Sequence, residues 1–485
     1  VKDDTRRAGQ QAGAPHNGHN AHDAPDPALW KITAVTIIGS LLAQLDATIV
    51  NVSLSSLALE LHSTLTTIQW VTSAYLLALT FVLPLNGWLV DRIGGKALYL
   101  WCFGLFTLSS ALCGLAWSAS SLIGFRILQG VSGGLLAPMA QMMLKRAAGN
   151  QFTRVAGYAA IPVLLGPLLG PVIAGAILHV GSWRWLFLVN LPVGVLGLLL
   201  AFLFLPDDSG ERRQRGLDWL GLVLLSPGLA LLLFGAERSG QAAGLAAMAL
   251  GGVLLIGFLL VQRRKGEHAL IDLDQFRNRA FSAAALAQFL TNGVSFAGQM
   301  LIPLYLIEAC HRSPAAMGWM LAPLGLGMMV CYPALGFLTA RLGARWVATA
   351  GAALACAATL AFVWIALRGL DVGVLTVALF LRGMGQGAVG LPAISLAYAA
   401  VARRDLPMAA TTLNIVQRLG GPTLTTLCAL ALGWLLAAPG ELGGLDAWAW
   451  AFLLLAVLHA LSVVAAACLP ARAQAPGGRE DSASA

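Results

Sequence analysis

The sequence predicts an all-α integral membrane protein of fourteen spans, built as two six-helix bundles with two accessory transmembrane helices. Three observations carry that expectation. Apolar runs of about bilayer length recur along nearly the whole chain, which is 58% hydrophobic and 11% charged, against about 25% charged in ordinary soluble domains. Lys and Arg alternate between scarce and abundant from one inter-span segment to the next. Segments of the first half return in the second.

The first run, 31–54, reads KITAVTIIGSLLAQLDATIVNVSL. It is long enough to cross a bilayer, which takes roughly 20 apolar residues, yet it carries Asp46 in its interior, with Gln44, Thr48 and Asn51 nearby. An ionised carboxylate in hydrocarbon is costly, so Asp46 is expected to face protein or a wet cavity and to act there. Runs at 66–87, 97–117, 120–143, 153–178 and 184–205 complete a first set of six. Runs at 217–236 and 243–262 form a pair bounded by the charged stretches 206–216 and 263–280. A second set of six follows at 281–307, 315–340, 345–366, 372–400, 408–435 and 447–469. The expected organisation is a polar cytoplasmic tail (1–29), a bundle (30–205), the accessory pair (206–280), a second bundle (281–470) and a short tail (471–485). Residues 1–29 lack the apolar centre of a signal peptide. His16, His19 and His22 there are either a metal site or part of a disordered tail, and the tail is the plainer reading.

Of the 30 Lys and Arg, 23 fall in tails and loops on one side when the N-terminus is placed inside. The other side holds four, Arg184, Arg238, Arg312 and Arg368, and Arg126, Arg382 and Arg418 fall within spans. The positive-inside rule therefore puts both termini in the cytoplasm. This distribution accounts for the net charge of +8 without a nucleic-acid partner. The seven cysteines are scattered singly, with neither disulfide nor metal-ligand spacing. No cofactor or metal is expected, and no P-loop or Ser/His/Asp set suggests an enzyme.

The internal repeat is specific. GWLVDRIGGK (87–96) is echoed by GFLTARLGAR (336–345), and RILQG (126–130) by RGMGQG (382–387). Two related halves around a central site are a transporter's organisation. In the first motif Gly87, Asp91, Arg92, Gly94 and Lys96 make a short charged loop with small residues for close approach, either a gate hinge or a cluster that sets topology. In the run 153–178, Pro162, Pro167 and Pro171 interrupt backbone bonding, while Gly166 and Gly170 offer a small-xxx-small surface. That helix is either a rocking element or an ordinary tightly packed one.

Polar residues also fall on stripes. Gln288, Asn292, Ser295 and Gln299 follow i, i+4, i+7, i+11, as do Gln44, Thr48, Asn51 and Ser55. Asn414, Gln417 and Arg418 cluster on the thirteenth run. Such residues line a substrate path or hydrogen-bond between helices. At about 100° per residue, Asp46 points roughly 140° from Asn51 and 160° from Gln44. Either the first span is irregular near Ala47, or Asp46 lies at a helix–helix seam beside the path.

On these residues the chain resembles the major facilitator superfamily. GWLVDRIGGK is similar to its loop signature, and LDATIVNV (45–52) to the first-span signature of the fourteen-span drug:proton antiporters of the EmrB/QacA type. GPLLGP (166–171) resembles the fifth-span antiporter motif, with Pro171 where a second Gly is common. SWRWLFLVNLPVG (182–194) and LIDLDQFRNRAF (270–281) resemble further segments of that branch. The resemblance spans roughly 30–470. It implies a major facilitator fold and proton coupling at Arg126 and Asp46. It also implies export of small hydrophobic or amphipathic compounds by alternating access in a bacterial inner membrane. The expected partners are the lipid bilayer, a small-molecule substrate and protons, with a periplasmic adaptor protein as a further possibility. Burial disfavours the charged carboxylate, so Asp46 can take a proton from outside and, facing inward deprotonated, favour an often cationic drug. The alternatives are a proton-coupled uptake symporter of a nutrient or anion, and a non-transporting sensor with a transporter fold.

Overall fold

The computed structural model describes residues 27–207, 216–238, 241–265, 273–312, 314–402, 405–437 and 445–471. Most of the first tail, with its three histidines, and most of the last lie outside these residues. Among the described residues all regular structure is helical. Thirteen helices are long and apolar enough to cross a membrane. Eleven of the twelve expected bundle spans and the two accessory spans account for them, and the fifth expected span coincides with a further helix of 29 residues, Phe152–Val180.

In chain order, span 1 is Ala28–Val50, span 2 Thr67–Ile93, span 3 Gly95–Gly114, span 4 Ala119–Ala148, span 5 Phe152–Val180 and span 6 Trp185–Phe204. Spans 7 and 8 are Trp219–Ala236 and Ala242–Lys265. Spans 9 to 14 are Arg279–Ala309, Trp319–Leu342, Ala344–Arg368, Val372–Ala399, Leu406–Leu436 and Asp446–Ala467. Spans 1–6 pack with one another and spans 9–14 with one another. Glycines allow the closest approaches: a Cβ on Gly130 or Gly134 in span 4 would strike the backbone of span 2, and one on Gly420 in span 13 would strike Phe289 in span 9.

The stretch expected as a charged loop is not a loop. Residues Asn86–Ile93 are helical and Gly95 already begins span 3, so Gly94 alone turns the chain. It does so at φ 97°, ψ 150°, a region essentially reserved for glycine. Gly343 occupies the same place in the second copy at φ 83°, ψ 149°. The physical reason is economy: with no Cβ, one residue reverses the chain, and the charged residues can remain in the helix that precedes it.

The halves meet at the end where these two corners lie. Asn86 Nδ2 donates to Thr411 Oγ1 at 3.1 Å, Leu83 packs on Ile415, and Gly87 sits under Met408, whose Cα would be 3.4 Å from an added Cβ. The second copy reciprocates: Gly336 abuts the start of span 5, its added Cβ 2.5 Å from the Cβ of Arg154. The Tyr398 and Phe152 rings pack at 5.8 Å, and the Tyr398 hydroxyl reaches Gln141 Oε1 at 3.4 Å.

Spans 7 and 8 form a hairpin on the outside of this junction. Span 7 packs on span 2 and on span 13, one from each half. Leu222, Leu225 and Leu229 join Leu83 and Ile415 in one apolar cluster. At one end Asp218 caps Gly221 N–H at 2.8 Å, accepts from Gln262 Nε2 at 2.6 Å, and pairs with Lys265. At the other, Phe234 stacks on Trp70 of span 2 at 6.0 Å, with Arg238 over both rings.

Candidate functional site

Asp46 lies in a continuous helix, Pro27–Val52, so the expected irregularity near Ala47 is absent and the seam alternative holds. The carboxylate is 1% exposed. Arg126, also fully buried, donates from Nη1 to Asp46 Oδ2 at 2.5 Å. The other carboxylate oxygen accepts from Gln129 Nε2 at 3.0 Å and Asn190 Nδ2 at 2.9 Å. Spans 1, 4 and 6 thus converge on one acid. A buried ion pair is tolerable only when its remaining lone pairs and protons are satisfied, and this one is nearly so.

The arginine is held on every side. Nε donates to the Val71 carbonyl of span 2 at 3.2 Å, and Nη1 also reaches Gln129 Oε1 at 2.8 Å. The Tyr75 ring lies 4.1 Å beneath the guanidinium, and Phe187 is 5.9 Å away. Such stacking suits a planar, weakly hydrated cation. Asn190 is fixed in turn by Ser110 Oγ at 3.1 Å, which donates to the Phe187 carbonyl at 3.0 Å. Only Arg126 Nη2 among these donors lacks a partner. With its charge paired in place, Arg126 has no need to reach toward either membrane surface.

Of the expected path residues, several are spent between helices. Gln288 donates to the Gly390 carbonyl of span 12 and Asn292 to the Gln417 carbonyl of span 13, both at 2.6 Å. Asn414 bonds back to Ala410 in its own helix. Gln299 is exposed and bonds Ser295. Gln44 and Gln417 are half-buried. The backbones of Asn51, Gly166 and Pro167 are helical, but their side chains lie outside the described set. Gly170 is buried against span 1, where a Cβ would strike Thr48, two residues from Asp46. In the corner motif, Lys96 pairs with Asp207 at 2.8 Å, exposed Arg92 lies over Trp88 at 5.7 Å, and Asp91 is partly buried.

The second half repeats the arginine without its acid. Arg382 is fully buried in span 12, and its guanidinium fills the space where Gly298 of span 9 has no side chain. Its Nη2 donates to the Val294 carbonyl at 2.9 Å, and Nε has no partner. Sequence reasoning missed Gln129, Asn190, Ser110 and Tyr75. The first two stood in quoted motifs, RILQG and SWRWLFLVNLPVG, but nothing in their spacing joined them to Asp46.

A model of the Major Facilitator Superfamily matches residues 36–421 and 284–484. The multidrug resistance protein B homolog of Mycobacterium tuberculosis is 34% identical over 430 residues, covering 87% of this chain and 79% of that protein. A double-tryptophan variant of XylE superposes with a TM-score of 0.65 at 13% identity, over 92% of this chain and 96% of that one. A bacterial homologue of the iron transporter ferroportin, in its outward-facing state, gives a TM-score of 0.63 at 12% identity, over 90% and 98%. These two structures share the fold.

Proposed function

The chain belongs to the major facilitator superfamily, and from that premise we propose that it is a multidrug exporter driven by proton entry. It is a multi-pass membrane transporter and not an enzyme. The observation that carries the coupling is the sealed Asp46–Arg126 pair. Because Asp46 is withdrawn from solvent, the proton acts on the scaffold and does not compete directly with a drug at the carboxylate.

Protonation of Asp46 removes the charge that holds Arg126 and weakens the acceptor shared by Gln129 and Asn190. Breaking a buried pair by neutralising one member costs about 3–5 kcal/mol, enough to shift a two-state equilibrium by more than a hundredfold. The helices that move are those the pair ties, spans 1, 4 and 6. Span 5 rides on span 1 through Gly170 and Thr48, and Gly157 of span 5 presses on Tyr332 of span 10. A change at Asp46 is thereby passed to the contact between halves.

The Lys and Arg distribution supports placing both termini, and the corners at Gly94 and Gly343, on the cytoplasmic side of a bacterial inner membrane. In that orientation the contacts between halves close the inner side, and alternating access is the rocking of one half on the other about them. The relative in Mycobacterium tuberculosis, by its name, supports drugs as cargo.

The test is reconstitution into liposomes with an imposed pH gradient and a fluorescent drug. Gradient-driven uphill flux is expected in the wild type and absent in a folded Asp46→Asn/Arg126→Gln protein. Uphill flux that survives in that protein refutes the coupling assignment.

A further inference from the structure

The membrane-embedded charges do not balance. Asp46 is the one described carboxylate more than a turn from the end of its helix, and Arg126 already holds it. Arg382 and Arg418 remain. Each has a buried Nε without a partner, and Arg418 makes no hydrogen bond or ion pair among the described residues. Cations without counter-charge are not left in a low-dielectric interior unless something meets them there.

Arg418 stands in a telling position. On span 13, Met408, Thr411 and Ile415 face the first half and form the seal with Gly87, Asn86 and Leu83. At i+3 from Ile415 and i+7 from Thr411, Arg418 continues that face by one turn. It is half-buried and within electrostatic reach of Tyr75, the ring on which Arg126 stacks. The neighbouring face of span 13 is occupied, since the Gln417 carbonyl and Gly421 meet Asn292 of span 9. The guanidinium therefore stands just past the seal, on the surface between the halves, where cargo must pass.

We infer that Arg418 is the head-group contact for the cargo, and that the cargo is an anionic amphiphile, an apolar body bearing one carboxylate or sulfonate. This rests on the transporter reading and narrows it. The unpaired charge of Arg382 adds to the same positive field. A permanent organic cation would meet two arginines without ion-pair partners, and the one carboxylate in the described membrane interior, Asp46, is already taken by Arg126. A guanidinium gives a carboxylate or sulfonate two parallel charge-assisted bonds.

The test compares three probes on the full-length protein in nanodiscs at pH 7 with no gradient, empty discs subtracted. 1-Anilinonaphthalene-8-sulfonate and N-phenyl-1-naphthylamine share a ring system and differ in the sulfonate; tetraphenylphosphonium is the cation. The sulfonate is expected to bind about tenfold more tightly than the neutral amine, a preference lost in Arg418→Gln and kept in Arg418→Lys. Equal binding of the first two probes, tighter binding of the phosphonium, or an undiminished preference in Arg418→Gln overturns the proposal. If Arg418→Gln does not elute as a folded monodisperse species, the three wild-type affinities and Arg418→Lys decide it. Gradient-driven export of the amine or the phosphonium without sulfonate preference defeats this inference and leaves proton-driven export standing. A sulfonate preference with no response to a gradient does the reverse.

Discussion

Gly298 lies flush against the guanidinium of Arg382, leaving no room for a Cβ, whereas in the first half the residue set against Arg126 is Asp46. The two halves share helices, corner glycines and buried arginines, but one half has a titratable pair and the other a bare cation. The repeat supplies the symmetric rocking frame, and the departure from symmetry supplies the chemistry. Among the described residues the one carboxylate in the membrane interior belongs to the first half, and the buried imidazole of the second half, His459 on span 14, is set against Thr359 and the Leu455 carbonyl and not against an acid.

Asp46→Asn is expected to abolish pH-gradient-driven export and also to lower stability, because Arg126 is left buried with only neutral partners. The loss is expected to be of the order of 3–5 kcal/mol. Asp46→Asn/Arg126→Gln recovers most of that stability while remaining uncoupled. Thermal unfolding in nanodiscs and flux in liposomes measure the two effects separately. A double variant as unstable as the single one would show that the ion pair is not the source of the loss.

Gly336→Leu is expected to slow turnover far more than it weakens binding. Its new side chain meets the Cβ and backbone of Arg154, which no rotamer change can withdraw. Gly87→Leu acts on the reciprocal contact with Met408. Both hold the halves apart at the end where the two corners lie, so a cysteine pair spanning this contact should cross-link less than in the parent. Gly94→Ala carries a backbone penalty of about 1–3 kcal/mol for its positive φ. Collapse of binding with normal turnover of the bound fraction would overturn the part given to these contacts between the halves.

Much of the fold was legible because hydrocarbon imposes so few solutions: spans must be apolar and helical, and loop charges reveal their alternation. Asp46 and Arg126 stood out for the same reason, as charges where charges are expensive. Their pairing was not legible, since span 1 and span 4 are about 80 residues apart and no local pattern joins them. Asn190 escaped because a lone amide at a helix start is commonplace, and Gln129 because a single amide within a span carries no sign of its partner. The stripe on span 9 left two readings open. Periodicity marked Gln288 and Asn292 as facing something polar, but could not tell a cavity from the carbonyls of spans 12 and 13. Glycines and charges crowd the corner motif and read as a loop, while one glycine does the turning.

The hairpin of spans 7 and 8 is expected to lie outside the transport path. Cysteine scanning over 217–262 with a water-soluble thiol reagent should find no run of substrate-protected positions; such a run on one face would put the hairpin in the path. Its base depends on Asp218. Burial raises the pKa of this carboxyl, but hydrogen bonds from Lys265, the Gly221 N–H and Gln262 outweigh it and hold the pKa below the usual aspartate range. A lowered folded-state pKa gives stability that is complete above the unfolded value of about 3.9 and is lost as pH falls through the folded value. Protection from hydrogen exchange at the ends of spans 7 and 8, taken relative to the intrinsic amide rate at each pH, should therefore be flat from neutral pH to about 4 and fall below it. Asp218→Asn should exchange fast throughout, and a pH-independent hairpin in the parent would remove Asp218 from this role.

Arg126→Met and Arg382→Met should have opposite consequences, although both delete a fully buried arginine from equivalent places in the repeat. Without Arg126, Asp46 keeps only the amides of Gln129 and Asn190, and an uncompensated carboxylate remains in the bundle. The expected loss is again about 3–5 kcal/mol. Without Arg382, no acid is orphaned among the described residues. The Val294 carbonyl loses one donor but sits inside a helix with a ladder of its own. Methionine is unbranched and fills irregular space, so it can occupy the channel beside Gly298 that the arginine stem follows. Replacing a buried charge by a well-packed apolar side chain is often neutral or stabilising, so Arg382→Met should unfold at or above the wild-type temperature while Arg126→Met unfolds well below it. The comparison is a single melting series in identical nanodiscs. Equal losses in the two variants would mean that Arg382 is held by a partner of comparable strength, and the asymmetry between the halves would fail as the basis of coupling.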